Sequence, residues 1–97
     1  MISLEDSVVV DESVVFREYD GETVILNLQT GQYFALDEVG TRIWTLIRER
    51  QVLGTMLGAL EMEYDASRER LKADLLQLVD QLTADGLVTV QRADTHR

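Results

Sequence analysis

Few of these 97 residues have side chains suited to covalent chemistry, and none of those stands at a useful spacing from a partner. The single histidine, His96, is next to last in the chain. A general base needs fixed geometry, so His96 reads as a solvated tail residue. Ser3, Ser7, Ser13 and Ser67 then lack a base to activate them, which argues against a hydrolase. With no cysteine there is no thiolate nucleophile, disulfide or cysteine metal site. Glu61, Glu63 and Asp65 alternate at a helix end without the glycine and loop spacing of a calcium hand, and read as solvated acids. Gly54 and Gly58 have GxxxG spacing, but in a short mixed helix local packing is the simpler use. They build no phosphate cradle. Trp44 reads first as a core anchor and second as a binding hot spot. No catalytic residue, metal site or cofactor is expected.

Composition narrows the remaining classes. Eighteen acidic residues against nine basic ones give a net charge of −9, which opposes approach to phosphates and makes nucleic acid a poor partner. The apolar share of 45% is that of a globular chain. A chain of this length makes one domain that buries roughly 60–65% of its unfolded surface, leaving little room for a deep pocket. No apolar run approaches the ~18 residues of a membrane span. The first residues lack the basic region and long apolar stretch of a signal peptide, so a cytoplasmic location is expected.

What remains is a set of elements that must position a surface. Residues 1–12 carry Val8, Val9 and Val10 among acids and read as an N-terminal arm or edge strand. Residues 13–19 alternate Val14 and Phe16 against Val15, Arg17 and Tyr19, and Asp20-Gly21 supplies residues that accept positive φ in a hairpin. Residues 23–29 place Val24, Leu26 and Leu28 on one face and Thr23, Ile25, Asn27 and Gln29 on the other. Thr30-Gly31 turns again, and residues 32–36 set Phe34 and Leu36 against Tyr33 and Ala35. This is a three-stranded antiparallel meander.

Helical spacing begins at Asp37, a natural N-cap, with Val39, Ile43, Trp44 and Ile47 as the apolar face. Gly40 would let a neighbouring element approach closely. A second helix over residues 52–64 uses Val52, Met56, Leu57, Leu60 and Tyr64; Gly54 and Gly58 each cost it roughly 1 kcal/mol relative to alanine. Asp65 and Ser67 mark the next start. The longest pattern then runs through Leu71, Leu75, Leu78 and Leu82 until Gly86 closes it, and residues 87–90 read as a short closing strand or extended tail. Residues 91–97 read as a flexible tail. The fold class is α+β, with a three-stranded antiparallel sheet followed by three helices in a winged helix-turn-helix arrangement. Such folds serve many purposes.

The last helix has a second apolar line, Leu76 and Val79 with the stem of Lys72, beside its main stripe. Burial is the simpler account of it; the other is a surface left for a partner. If the strand over residues 32–36 is a sheet edge beside this helix, Tyr33, Ala35, Leu76 and Val79 form the floor and wall of a groove fit for an extended peptide.

The stretch "TVILNLQTGQYFALDEVGTRIW" resembles the PqqD-like family, the small recognition domains of ribosomally made, modified peptides. Gly31, Tyr33, Phe34, Leu36, Asp37, Gly40, Ile43 and Trp44 match its G-x-Y-F-x-L-(N/D)-x-x-G-x-x-I-W pattern. The later "EYDASRERLKADLLQLVDQLTADGLV" is similar to the family's last helix, with Asp65, Asp74, Leu82, Gly86 and Leu87 in the matching places. The resemblance spans residues 14–90, and residues 13–90 are taken as the recognition domain.

The resemblance implies a non-enzymatic domain that binds the leader segment of a precursor peptide as an added strand and delivers it to a leader peptidase and a cyclase or other modifying enzyme. It places binding on Gln32, Tyr33, Phe34, Ala35 and Leu36, and on the last-helix face with Lys72, Leu75, Leu76, Val79 and Asp80. "YFALDEVGTRIW" looks like the stand-alone subunit of lasso-peptide systems. The alternative within the family is a peptide chaperone of pyrroloquinoline quinone biosynthesis acting with a radical enzyme. Outside the family the alternatives are a winged-helix DNA-binding protein, for which Arg68, Arg70 and Lys72 cluster at a helix start, and a structural dimerisation module.

Overall fold

In the computed structural model, which describes residues 2–49 and 52–93, the first hairpin turns where the sequence expects it. Asp20 and Gly21 both hold positive φ, 49° and 81°, the geometry of a two-residue turn whose twist matches its strands. It joins β2 (Val14–Tyr19) to β3 (Glu22–Asn27) in antiparallel register, with Tyr19 opposite Glu22 and Phe16 opposite Ile25. The second turn is held by the Asn27 side chain, whose Oδ1 accepts the amides of Gln29 at 2.9 Å and Thr30 at 3.4 Å. Gly31 at φ 76° then lets β4 (Tyr33–Leu36) return beside β3. The sheet order is β2-β3-β4, so β4 is an edge.

Three helices follow, α1 (Glu38–Arg48), α2 (Leu53–Glu63) and α3 (Arg68–Ala84). Asp37 caps α1 through a 2.8 Å bond from the Gly40 amide to its Oδ1, and Ser67 caps α3 by accepting the Arg70 amide at 3.2 Å. These bonds satisfy amides that a helix start leaves without partners. Gly86, at φ 74°, closes α3 one residue past its C-cap.

The N-terminal segment is not a free arm. Ser7–Val10 forms β1, paired antiparallel with β5 (Val88–Gln91) in a separate two-stranded sheet. Gln91, expected in the tail, closes that strand. Val8 is fully buried, and the carbonyls of Asp6 and Leu4 accept the amides of Leu53 and Gly54 at 2.9 and 2.8 Å, so this segment seats the start of α2. A Cβ on Gly54 would lie 3.2 Å from the Leu4 carbonyl oxygen, which explains this glycine by local packing.

The core lies between the helices and the inner face of the large sheet. Trp44 is fully buried at its centre, with Phe16 edge-on at 5.6 Å and 75°, and the Arg48 guanidinium lies 4.4 Å over the Phe16 ring. Leu71, Leu75, Val79 and Leu82 supply the buried stripe of α3. Val79 thus belongs to the core stripe, and Leu78 flanks it, only partly buried.

Candidate functional site

The antiparallel ladder decides which main-chain groups β4 offers. The Asn27 amide donates to the Gln32 carbonyl at 3.0 Å, so in the register that pairs Ile25 with Phe34 and Thr23 with Leu36, these pairs exchange hydrogen bonds. The alternation turns the N–H and C=O groups of Tyr33 and Ala35 to the open side of the sheet. Two such unpaired residues on an edge form a template for one more strand.

Beside that edge lies a groove of about 620 Å³ between β4, the start of α1 and one flank of α3. Leu36, Val39, Ile43 and Leu78 give it an apolar floor, and Asp37, Asp74, Gln77 and Gln81 a polar wall. Gly40 also lines it, where a Cβ would stand 3.2 Å from both Asp37 Oδ1 and Leu36 Cβ, a tight fit where strand and helix approach closely. The Gln81 amide donates to the Asp85 carboxylate at 3.1 Å, which steadies that side chain along the rim.

The structure separates the residues expected on α3. An α-helix turns about 100° per residue. Measured from Leu78, Asp74 and Gln81 lie at roughly −40° and −60°, on the groove side, whereas Leu75, Val79, Lys72 and Leu76 lie at roughly +60° to +160°. Leu75 and Val79 are fully buried and hold the core. Leu76 packs partly buried against the core, and Lys72 and Asp80 are exposed, but none of the three lines the groove. This placement has a physical cause. Periodicity locates the buried stripe, but which flank of it meets β4 depends on how α2 and β5 seat α3.

On the strand, Ala35 and Leu36 line the groove, Phe34 packs inward against the core, Tyr33 stands 70% exposed on the outer face, and Gln32 precedes the strand as an exposed residue. Asp37, Asp74, Gln77 and Gln81 on the wall and Leu78 on the floor lie outside the set of residues expected to bind. On α3 the i, i+3, i+4, i+7 spacing of Asp74, Gln77, Leu78 and Gln81 is the sequence signal that sets them on one face.

The outer face of the large sheet is apolar as well. Val15, Leu26 and Tyr33 form one cross-strand row and Arg17, Val24 and Ala35 the next, in register, with Tyr19 beyond them. Val15, Tyr19, Val24, Leu28 and Tyr33 are among the large hydrophobic side chains left exposed, and a shallow concavity of about 510 Å³ lies on this face. Arg17 donates to the Tyr19 hydroxyl at 3.3 Å, and that contact raises the guanidinium above its ordinary pKa.

Several of the residues that could do chemistry make structural contacts. Ser67 caps α3, Ser3 Oγ accepts the Glu5 amide at 3.1 Å, Ser13 donates to the Asp11 carboxylate, and Ser7 lies in β1. Glu61 pairs with Arg68, and Glu63 takes a bidentate contact from Arg42 at 2.7 Å that holds its carboxyl below the ordinary range. Asp65 is exposed. His96 lies outside the described residues. The Trp44 indole nitrogen is buried without a hydrogen-bond partner among the described residues, consistent with a packing role.

Comparison with known proteins finds a family and solved structures that this chain resembles. The family described as Coenzyme PQQ synthesis protein D (PqqD) matches residues 22–88. The solved structure "TbiB1 in Complex with the TbiA(beta) Leader Peptide" is 36% identical, with a TM-score of 0.82 over 89% of this chain and 99% of that one. "Lasso peptide synthetase B1 complexed with the leader peptide" is 19% identical, with a TM-score of 0.79 over 86% of this chain and 98% of the other, a likeness of fold. No curated protein matches. The residues matched include β3, β4 and all three helices, the elements that build the open edge and its groove, and the chain belongs to the PqqD family.

Proposed function

We propose that this protein binds the leader segment of a ribosomally synthesised precursor peptide by adding it as a strand to β4, and delivers it to a leader peptidase and a cyclase in lasso-peptide biosynthesis. The observation that carries the reading is the open edge at Tyr33 and Ala35 beside an apolar-floored groove. Main-chain pairing gives such a site its affinity, and pockets for alternate side chains give it selectivity. The 36% identical relative supports it, being a complex with a leader peptide. The run from Gly31 to Trp44, which resembles the stand-alone subunits of lasso-peptide systems, supports the choice of pathway.

The domain is read as a winged helix-turn-helix without a covalent step of its own, working in the cytoplasm. No helix among the described residues is long and apolar enough to cross a membrane. A docked leader gives up its disorder and holds its core segment at high effective concentration near an enzyme. Delivery needs a second surface, and the exposed apolar outer face of the sheet suits a protein partner. Family membership itself favours one other reading, a peptide chaperone of pyrroloquinoline quinone synthesis.

Titration of a fluorescent leader, taken from a short precursor gene neighbouring this one, into the full chain tests the proposal by anisotropy. Saturable binding that a scrambled peptide lacks supports it. Absence of binding up to high concentration rejects leader docking for that peptide.

A further inference from the structure

The wall of the β4–α3 groove is charged in one sense only. Its lining includes two carboxylates, Asp37 and Asp74, two amides and no cation. Asp37 uses Oδ1 to cap α1 and keeps its second oxygen, while Asp74 makes no ion pair or hydrogen bond among the described residues. Elsewhere, Glu61, Glu63 and Glu18 are matched with Arg68, Arg42 and Arg48. Two carboxylates thus stand without a counter-charge above the apolar floor of Leu36, Val39, Ile43 and Leu78.

We infer that the peptide segment seated in this groove carries a lysine or arginine two residues from a branched apolar residue, so that one added strand turns both side chains into the groove, the cation toward Asp37 and Asp74 and the apolar side chain on the floor. The inference rests on strand addition at β4 and names the chemistry of what is added. A cation there gains a charge-assisted hydrogen bond with a wall carboxylate and the field of the other. An acid brought to the same place meets two like charges and a net charge of −9, so the wall rejects acidic segments as well as attracting basic ones. Both carboxylates are exposed, so each contact is worth roughly a twofold to fivefold change in affinity and weakens with salt.

The test selects a random dodecapeptide display library on the full chain at low salt. The enriched peptides, with their Lys→Gln and Lys→Glu versions, are then measured by anisotropy against wild type and the Asp37→Asn/Asp74→Asn double variant. Asparagine is also a good N-cap, so this variant retains the start of α1. The expected result is enrichment of lysine or arginine two residues from leucine, isoleucine or valine. Lys→Glu should lose about tenfold or more on wild type and far less on the double variant. Peptides that bind the β4 edge with no preference for a cation, or whose Lys→Glu loss is equal on both proteins, overturn the inference and leave strand addition standing. A selection yielding no peptide that binds overturns both.

Discussion

Thr23 on β3 donates a 2.8 Å hydrogen bond to Thr41 on α1, and Thr41 in turn donates to the Leu36 carbonyl at 3.5 Å. Both side chains are buried. The relay ties the central strand, the helix and the last residue of the edge strand into one unit, so the groove floor inherits its position from a polar contact inside the core. Thr41→Val leaves the Thr23 hydroxyl buried without an acceptor and is expected to cost about 1–3 kcal/mol. Thr23→Val, which leaves Thr41 its bond to Leu36, is expected to cost less. The double variant should lose less than the sum of the two, because removing both partners removes the unsatisfied group. Urea midpoints of the four proteins measure this.

Asp6 holds the two ends of the chain together. Its carboxylate accepts the amides of Ser3 and Ala93, each at 2.9 Å, and these bonds hold its pKa below the ordinary 3.8. A depressed folded-state value means the contribution is fully present above the unfolded pKa and is lost as pH falls through the folded one. Wild type should therefore exceed Asp6→Asn in stability at neutral pH, and the difference should shrink below pH 3.8. Thermal unfolding of both proteins between pH 7 and pH 2.5 measures it, in a window roughly bounded by ordinary carboxylate titration.

The buried side of α3 is expected to answer to folding. Leu75→Ala is expected to destabilise the chain by about 2–5 kcal/mol through the cavity it leaves. Val79→Asp places an unpaired charge in the core and should abolish folding. Circular dichroism distinguishes this from a selective loss of binding, which would instead put Val79 at a surface.

On the proposed reading the groove side answers to ligand. Leu78→Ala removes part of the floor and is expected to weaken leader binding by about 1–2 kcal/mol, nearer tenfold than twofold. Lys72→Ala and Asp80→Ala, outside the groove, should leave affinity unchanged. Anisotropy titrations of the three variants measure the contrast.

Local chemistry made much of this fold legible. Asp20-Gly21, Asp37 and Gly86 each stand where only a few residue types satisfy the backbone, so the hairpin, the start of α1 and the end of α3 follow from single residues. The faces of β3 are harder. Val24, Leu26 and Leu28 are the more apolar set, yet Thr23, Ile25 and Asn27 point inward. The polar pair is accommodated because Thr23 finds Thr41 and Asn27 finds its own turn, partners that lie beyond the strand itself. The open edge was legible in the strand order. The wall of the groove was not, because Asp74 and Gln81 look like any solvated helix face until α3 is seated against the sheet.

The central claim is that a leader pairs with β4 and not with β2, the other end strand of the same sheet. Backbone amide chemical shifts and hydrogen exchange, followed by NMR as leader peptide is added to the full chain, test this most directly. The account predicts that the Tyr33 and Ala35 amides gain protection and shift as a main-chain pair forms, with Leu78 and Gln81 perturbed beside them. Changes confined to Val14, Phe16 and Glu18 on β2, with Tyr33 and Ala35 unmoved at saturation, would contradict it.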